Sequence, residues 1–353
     1  MHDARTENRL IKNLPYSETL KYLLFVFGIL AAFTVAAQVK NFVFIGMDRD
    51  QLKDTSIWTS PVFAGVQVAY SWRQLETKKD DYDFEMIKED LALLKKFGKK
   101  LFIQLQDVSF SMKWNHAPKY LLVDTIYHGG TNKQYQFNNN DETEYTEAGW
   151  VTRRWDPAVQ QRLHKLYAAL GKQFDGIIEG INTEETSIDF GKGPLHPAGF
   201  SFQRYKDAMI ENIASLKKAF PKSVVIVYAN FMPGGYLPFG DSVYFKSVYE
   251  FAWQNNIGVG GPDLLPYKPG QMNNSYGFIR NSYKKVPSGV AVQDGTIKYI
   301  NPRTKKTITA EEIYQFGKDY LHLSYIFWGT EEPFFSTQTK PFLTSLTLKE
   351  KGR

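Results

Sequence analysis

The 353-residue chain contains no cysteine. That excludes a disulfide framework, a thiol nucleophile and any cysteine-based metal site, and it leaves the compartment open. Histidine is scarce, with 6 residues, and His116, His128, His164, His196 and His322 show no paired ligand spacing, which argues against a catalytic zinc centre. No glycine fingerprint of the dinucleotide-binding type follows the first apolar segments, and neither a Gly-x-Ser-x-Gly elbow nor a phosphate-binding Gly-Lys-Ser/Thr loop occurs. No cofactor and no metal are therefore expected. Charge of one sign is not concentrated in the sequence: 43 basic and 37 acidic side chains give a net +6, and without a basic tract nucleic acid is not an expected partner. No lysine stands at the end of a strand-like segment, which argues against a Schiff-base lyase or aldolase.

Apolar and aromatic residues are plentiful. They make up 43% and 15% of the chain, with 21 Tyr, 26 Phe and 7 Trp, enough for one large core. Most rings belong in that core, while those in loops beside Gly, Asn and Asp suit a sugar-binding cleft. Leu23 to Ala37 is an uncharged apolar run preceded by Lys21 and ending in small residues. It is short for a membrane span and fits the apolar region and cleavage site of an export signal. Two outcomes stay open: cleavage near Ala37 with release to the periplasm or the exterior, or retention as an anchor over residues 22–37. Residues 1–37 are accordingly set apart as signal or anchor, and residues 38–353 as one domain.

Within that domain short apolar runs alternate with amphipathic stretches. Strands are predicted at Phe42–Gly46, Phe63–Val68, Leu101–Leu105, Ile177–Ile181, Val224–Tyr228, Ile257–Gly260, Val290–Val292 and Ser324–Phe327. Between them, Phe84, Ile87, Leu91 and Leu94 form one apolar helix face that stops at Gly98. Asp156-Pro157 opens a helix carrying Val159, Leu163, Leu166 and Leu170, which Gly171 is expected to close. Thr309-Ala310-Glu311-Glu312 has the spacing of a capping box. Eight strands alternating with helices predict an α/β fold of the (β/α)₈ TIM-barrel type. The connection from Asp107 to Val151 shows no strand or helix of its own and, lying beyond the third strand, is expected to wall the active cleft.

In such a barrel the chemistry sits at the C-terminal strand ends. Glu184 and Glu185 follow the fourth strand, Asp263 the sixth and Asp294 the seventh, and all four are candidate catalytic carboxylates. Strand alternation argues that only one of Glu184 and Glu185 faces the mouth. Trp328, directly after Tyr325-Ile326-Phe327, is expected to offer its ring at the mouth for sugar stacking, with Trp72 and Trp114 as further candidates. Asn182 is positioned to hydrogen-bond a sugar hydroxyl, and Gln293, which ends the seventh strand, is a further candidate for substrate binding.

The segment Gly65–Glu76 with Trp72 and Glu76, followed by Tyr82-Asp83-Phe84, resembles the second strand and its continuation in the large clan of (β/α)₈ glycoside hydrolases that includes β-galactosidases and cellulases. Ala117-Pro118-Lys119-Tyr120-Leu121 resembles the turn after the clan's third strand, and Arg153-Arg154-Trp155-Asp156-Pro157 the approach to the fourth. The similarity runs over residues 42–335. It implies hydrolysis of O-glycosidic bonds in an oligo- or polysaccharide, with Glu185 as acid/base and Glu184 in reserve. The sequence departs from the clan twice. Its Asn182 is separated from Glu185 by two residues where the clan has Asn-Glu, and Gln293 stands where the clan carries its nucleophilic Glu. A neutral amide cannot attack an anomeric carbon. The nucleophilic role passes to Asp294, Asp263 or another strand-end carboxylate, or the barrel binds carbohydrate without cleaving it.

Overall fold

The computed structural model describes residues 38–138, 141–191, 195–235 and 243–351. The calls on residues 1–37 lie outside them. Eight parallel strands close into a barrel: β1 (Lys40–Phe44), β2 (Gly65–Ser71), β3 (Lys100–Gln106), β4 (Gly180–Thr183), β5 (Val224–Tyr228), β6 (Gly258–Gly261), β7 (Ser288–Val292) and β8 (Tyr325–Gly329). Each pairs with its neighbour in sequence and β8 returns to β1. All eight predicted segments are staves. The largest offsets are at the end of β2, which runs on to Ser71, and at the start of β4, which begins at Gly180 because Gly176, at φ 77°, is still turning the chain out of the preceding helix and leaves Ile177 59% exposed.

Closure makes alternate residues face the axis. Phe42, Phe102, Ile226, Tyr228, Ala291, Tyr325 and Phe327 fill the interior as one buried cluster, with Phe102 and Phe327 edge to face at 4.9 Å. Glycine opposite these rings makes the space: a Cβ on Gly65 would lie 2.6 Å from Phe42 and one on Gly180 2.6 Å from Phe102. The outward residues, such as Val43, Val66, Ile103, Ile181, Val227 and Ile326, join the larger core beneath the helices.

That outer layer includes α1 (Glu85–Lys96), α2 (Pro157–Phe174), α3 (Phe202–Ala219), α4 (Val243–Gln254), α5 (Ser275–Asn281), α6 (Ala310–Gln315) and α7 (Lys340–Lys351). The Asp156 carboxylate caps α2 by accepting from the amides of Ala158 and Val159, ahead of Pro157 at the first position. Thr309 and Glu312 form the capping box of α6. Gly171 does not end α2, which continues to Phe174. It is buried because α3 passes so near that a Cβ would collide with the Ala219 carbonyl.

The excursion after β3 also differs from expectation. It contains a strand at Val108–Ser109, a helix at Lys119–Val123 and a hairpin of Thr131–Asn138 with Asp141–Thr152, the three strands forming an antiparallel sheet. Its alternation is of polar with aromatic residues, as in Gln134-Tyr135-Gln136-Phe137, so it lacks the aliphatic signature of a buried strand. Beyond β2, Trp72 donates its ring N–H to Glu76 at 2.7 Å, and the Arg162 guanidinium pairs with Glu76 and reaches Asp80 at 2.8 Å.

Substituting Gly171 tests the helix contact. Alanine is the better helix former by about 1 kcal/mol, yet overpacking against Ala219 costs about 1–3 kcal/mol. Gly171→Ala is expected to lower the stability measured by urea unfolding; a gain in stability would refute the close approach of α2 and α3.

Candidate active site

Above the aromatic interior lies a polar layer. The Gln67 amide donates to Asn182 Oδ1 at 2.8 Å and to the Tyr228 hydroxyl at 3.0 Å, joining β2, β4 and β5 across the axis. Gln104, beside Asn182 in the β3–β4 register, is 4% exposed. Asn182 is fully buried and donates to the Thr183 carbonyl at 3.0 Å. Its side chain belongs to the packed layer beneath the mouth.

After Thr183 the chain runs along β5, held by the Thr186 amide donating to the Tyr228 carbonyl at 2.9 Å. This places Glu184 and Glu185 in different surroundings. Glu184 is 7% exposed, and one of its carboxyl oxygens lies 3.4 Å from the Glu185 amide. Glu185 is half-buried, and its carboxylate accepts a hydrogen bond from the Asn230 amide just beyond β5. Arg154 fixes the backbone just after them: its guanidinium donates to the Glu185 carbonyl at 2.8 Å and to Tyr205 Oη at 3.3 Å. Its remaining donors form a forked pair with Asp107, which also accepts from Thr152 at 2.6 Å.

Removing carboxylates from water favours their neutral forms. Burial, reinforced by the Glu185 charge and opposed by Arg154, raises Glu184 to about 8. Burial likewise raises Glu185 to about 7; the Asn230 hydrogen bond pulls it down, Asp263 pushes it up and Arg154 pulls it down again. Asp263 therefore acts electrostatically on Glu185 from the end of β6. Burial raises Asp263 as well, against the charge of Lys268. Asp107 is held below the usual carboxylate range although burial opposes this, because Arg154 is paired to it.

The other expected site residues divide. Gln293 follows β7, where its amide donates to the Pro262 carbonyl at 2.8 Å, tying the β7 end to the turn that carries Asp263. Asp294 opens the four-residue helix Asp294–Ile297, and its side chain lies outside the described residues. Trp114 is 55% exposed on the excursion beyond β3, with Lys113 4.6 Å from its ring centre. Trp72 and Trp328 are wholly buried, which corrects the expectation that their rings line the mouth. Trp72 is committed to Glu76, and Trp328 donates to Asn41 at 2.9 Å. Alternation explains the second case: Phe327 faces the axis, so Trp328 faces the helices and Gly329 takes the next inward place. Glu331 leans over Gly329, where a Cβ would collide with its carboxylate.

Asn230, Gln67 and Gln104 were not anticipated. They are single amides within or just beyond apolar strands, and only the inward parity of Gln67 and Gln104 could have marked them.

Among solved structures the chain is similar to xylanase 10B from Thermotoga petrophila RKU-1 in complex with xylobiose, with a TM-score of 0.52 and 10% identity over 89% of this chain and 95% of that one. It is also similar to a GH10 endoxylanase retrieved from a sugarcane soil metagenome, with a TM-score of 0.50 and 14% identity over 87% and 96%. No protein-family model and no curated protein matches the chain. At these identities the shared property is the (β/α)₈ fold.

The raised carboxyls make stability fall with pH. A folded value above the unfolded one means that the native state holds a proton the unfolded chain releases, so stability is full below about 4.5 and is lost as pH rises toward 8. Each such group contributes a slope of about 1.4 kcal/mol per pH unit inside that window. Glu184→Gln is expected to flatten the decline and to melt higher than the parent at pH 8. Parallel melting curves from pH 5 to 8 for the two proteins would contradict a buried, protonated Glu184.

Proposed function

We propose that this barrel hydrolyses O-glycosidic bonds in an oligo- or polysaccharide, with Glu185 as general acid/base and Asp263 as the opposing carboxylate. The observation that carries the reading is Glu185 itself: a half-buried carboxyl at a strand end, raised to about 7 and sensing the charge of Asp263. Glycoside hydrolysis requires an acid that is protonated near neutrality to donate to the leaving oxygen. It also requires a second carboxylate to meet the charge developing at the anomeric carbon, directly or through a water. Burial raises Asp263, and Lys268 opposes that rise by favouring the ionised form, the form the second role requires. The xylanase and the endoxylanase of similar fold lend the substrate class, carbohydrate, to the proposal. Trp114, exposed beyond β3, is assigned to substrate stacking. Residues 1–37 are assigned to export, with release after cleavage or retention at the membrane.

Gln293 favours one other reading, a carbohydrate-binding barrel without turnover. Its amide is engaged with Pro262 at the strand end where the related enzymes are expected to carry their nucleophile. Calorimetric binding of an oligosaccharide that remains uncleaved after long incubation would decide for that reading.

Glu185→Gln should lower kcat/KM on a susceptible glycan by about 10²–10⁴-fold, the usual worth of general acid catalysis, with circular dichroism unchanged. Full activity of that variant removes Glu185 from the mechanism. Activity of the parent should decline above about pH 7 as Glu185 loses its proton. Asn230→Ala withdraws a hydrogen bond that favours the charged form, so its alkaline limb should move to higher pH; a limb that stays in place or moves down would assign the titration to another group.

A further inference from the structure

We infer that the end of the barrel where the strands begin is a docking surface for an anionic lipid bilayer. The linear sequence shows no basic tract, but the fold collects one. Parallel strands bring the strand-entry loops, and the C-termini of the helices that lead into them, to the same end, so Lys95, Lys96, Lys100, Lys218, Lys222 and Lys284, far apart in sequence, share it, all exposed. Lysine in a last helical turn complements the helix dipole, which accounts for Lys95, Lys96 and Lys218. That explanation does not extend to Lys222 and Lys284, which stand in loops.

Among the described residues the acids in the segments entering the eight strands are Asp175, Glu179 and Asp319, and all three are engaged, Asp319 with Lys318 at 3.3 Å. Asp175 accepts from the amides of Lys222 and Ser223 at 3.0 and 2.9 Å, and Glu179 pairs with Lys40 at 2.6 Å. The same loops present Ile177 at 59% exposure and Tyr283 at 45%. An aliphatic and an amphipathic aromatic side chain among lysines match the boundary between headgroups and acyl chains. A soluble polyanion would use the lysines and have no use for the two apolar groups.

The chain enters the barrel at this end, at Lys40. The carboxylates beyond β4 and β6 lie at the opposite end of the barrel. Docking is independent of whether those carboxylates cleave a glycan.

Vesicle co-sedimentation of the full chain tests the inference. The parent should partition onto vesicles of about one-third phosphatidylglycerol at least about ten-fold more strongly than onto pure phosphatidylcholine. That preference should vanish at about 0.5 M salt. The variant Lys96→Gln/Lys218→Gln/Lys222→Gln/Lys284→Gln should lose the preference while binding phosphatidylcholine like the parent, which controls for folding and for the apolar run. Ile177→Ser/Tyr283→Ser should bind the anionic vesicles several-fold less while retaining its affinity for dextran sulfate. A parent without charge preference, a lysine variant that keeps it, or an Ile177/Tyr283 variant with unchanged vesicle binding would each overturn the assignment, the last by making the face a site for soluble polyanions.

Discussion

Closing eight parallel strands into a barrel leaves an interior only a few side chains wide, and every strand must send alternate residues into it. The chain meets this constraint by setting Phe42, Phe102, Tyr325 and Phe327 against glycines on neighbouring strands. The same alternation brings Gln67, Gln104 and Asn182 inward one layer higher. It also turns Trp328 away from the mouth. A ring whose place in the sequence suggests sugar stacking is thereby spent on packing and on one hydrogen bond to Asn41.

The carboxylates at the mouth inherit that crowding. Glu184 and Glu185 are adjacent in sequence and both withdrawn from water, a combination that favours protonation. Arg154 keeps the arrangement tolerable. Its own burial is compensated by the forked pair to Asp107, and its remaining donors reach the Glu185 carbonyl and Tyr205. Breaking such a pair from one side leaves an uncompensated buried charge, typically worth 3–5 kcal/mol. Arg154 thus links the start of α2 to the end of β4 and moderates the charge balance of both glutamates.

The two ends of the barrel have opposite characters for a topological reason. The exit end gathers Glu184, Glu185 and Asp263 above a buried layer of amides, while the entry end gathers lysines from helix termini and loops. Neither grouping is contiguous in sequence. Parallel order sorts residues by their distance from strand starts and ends, so scattered charges become two faces.

The eight strands were legible because each is a short aliphatic run between turn signals, and the α2 and α6 starts because Asp156-Pro157 and Thr309–Glu312 carry capping chemistry in adjacent residues. These are local properties, and the sequence alone determined them, together with the barrel class and the strand-end placement of Glu184, Glu185 and Asp263. Gly171 was misread as a stop because its role depends on Ala219 in another helix, and the hairpin after β3 was missed because its rings alternate with polar residues. Which glutamate reaches the mouth, that Asn230 grips it, that Trp72 and Trp328 are closed in and that the lysines converge were decided only by tertiary structure. Inward or outward facing, burial and charge proximity depend on what other strands bring alongside, and a single strand's residues do not encode that.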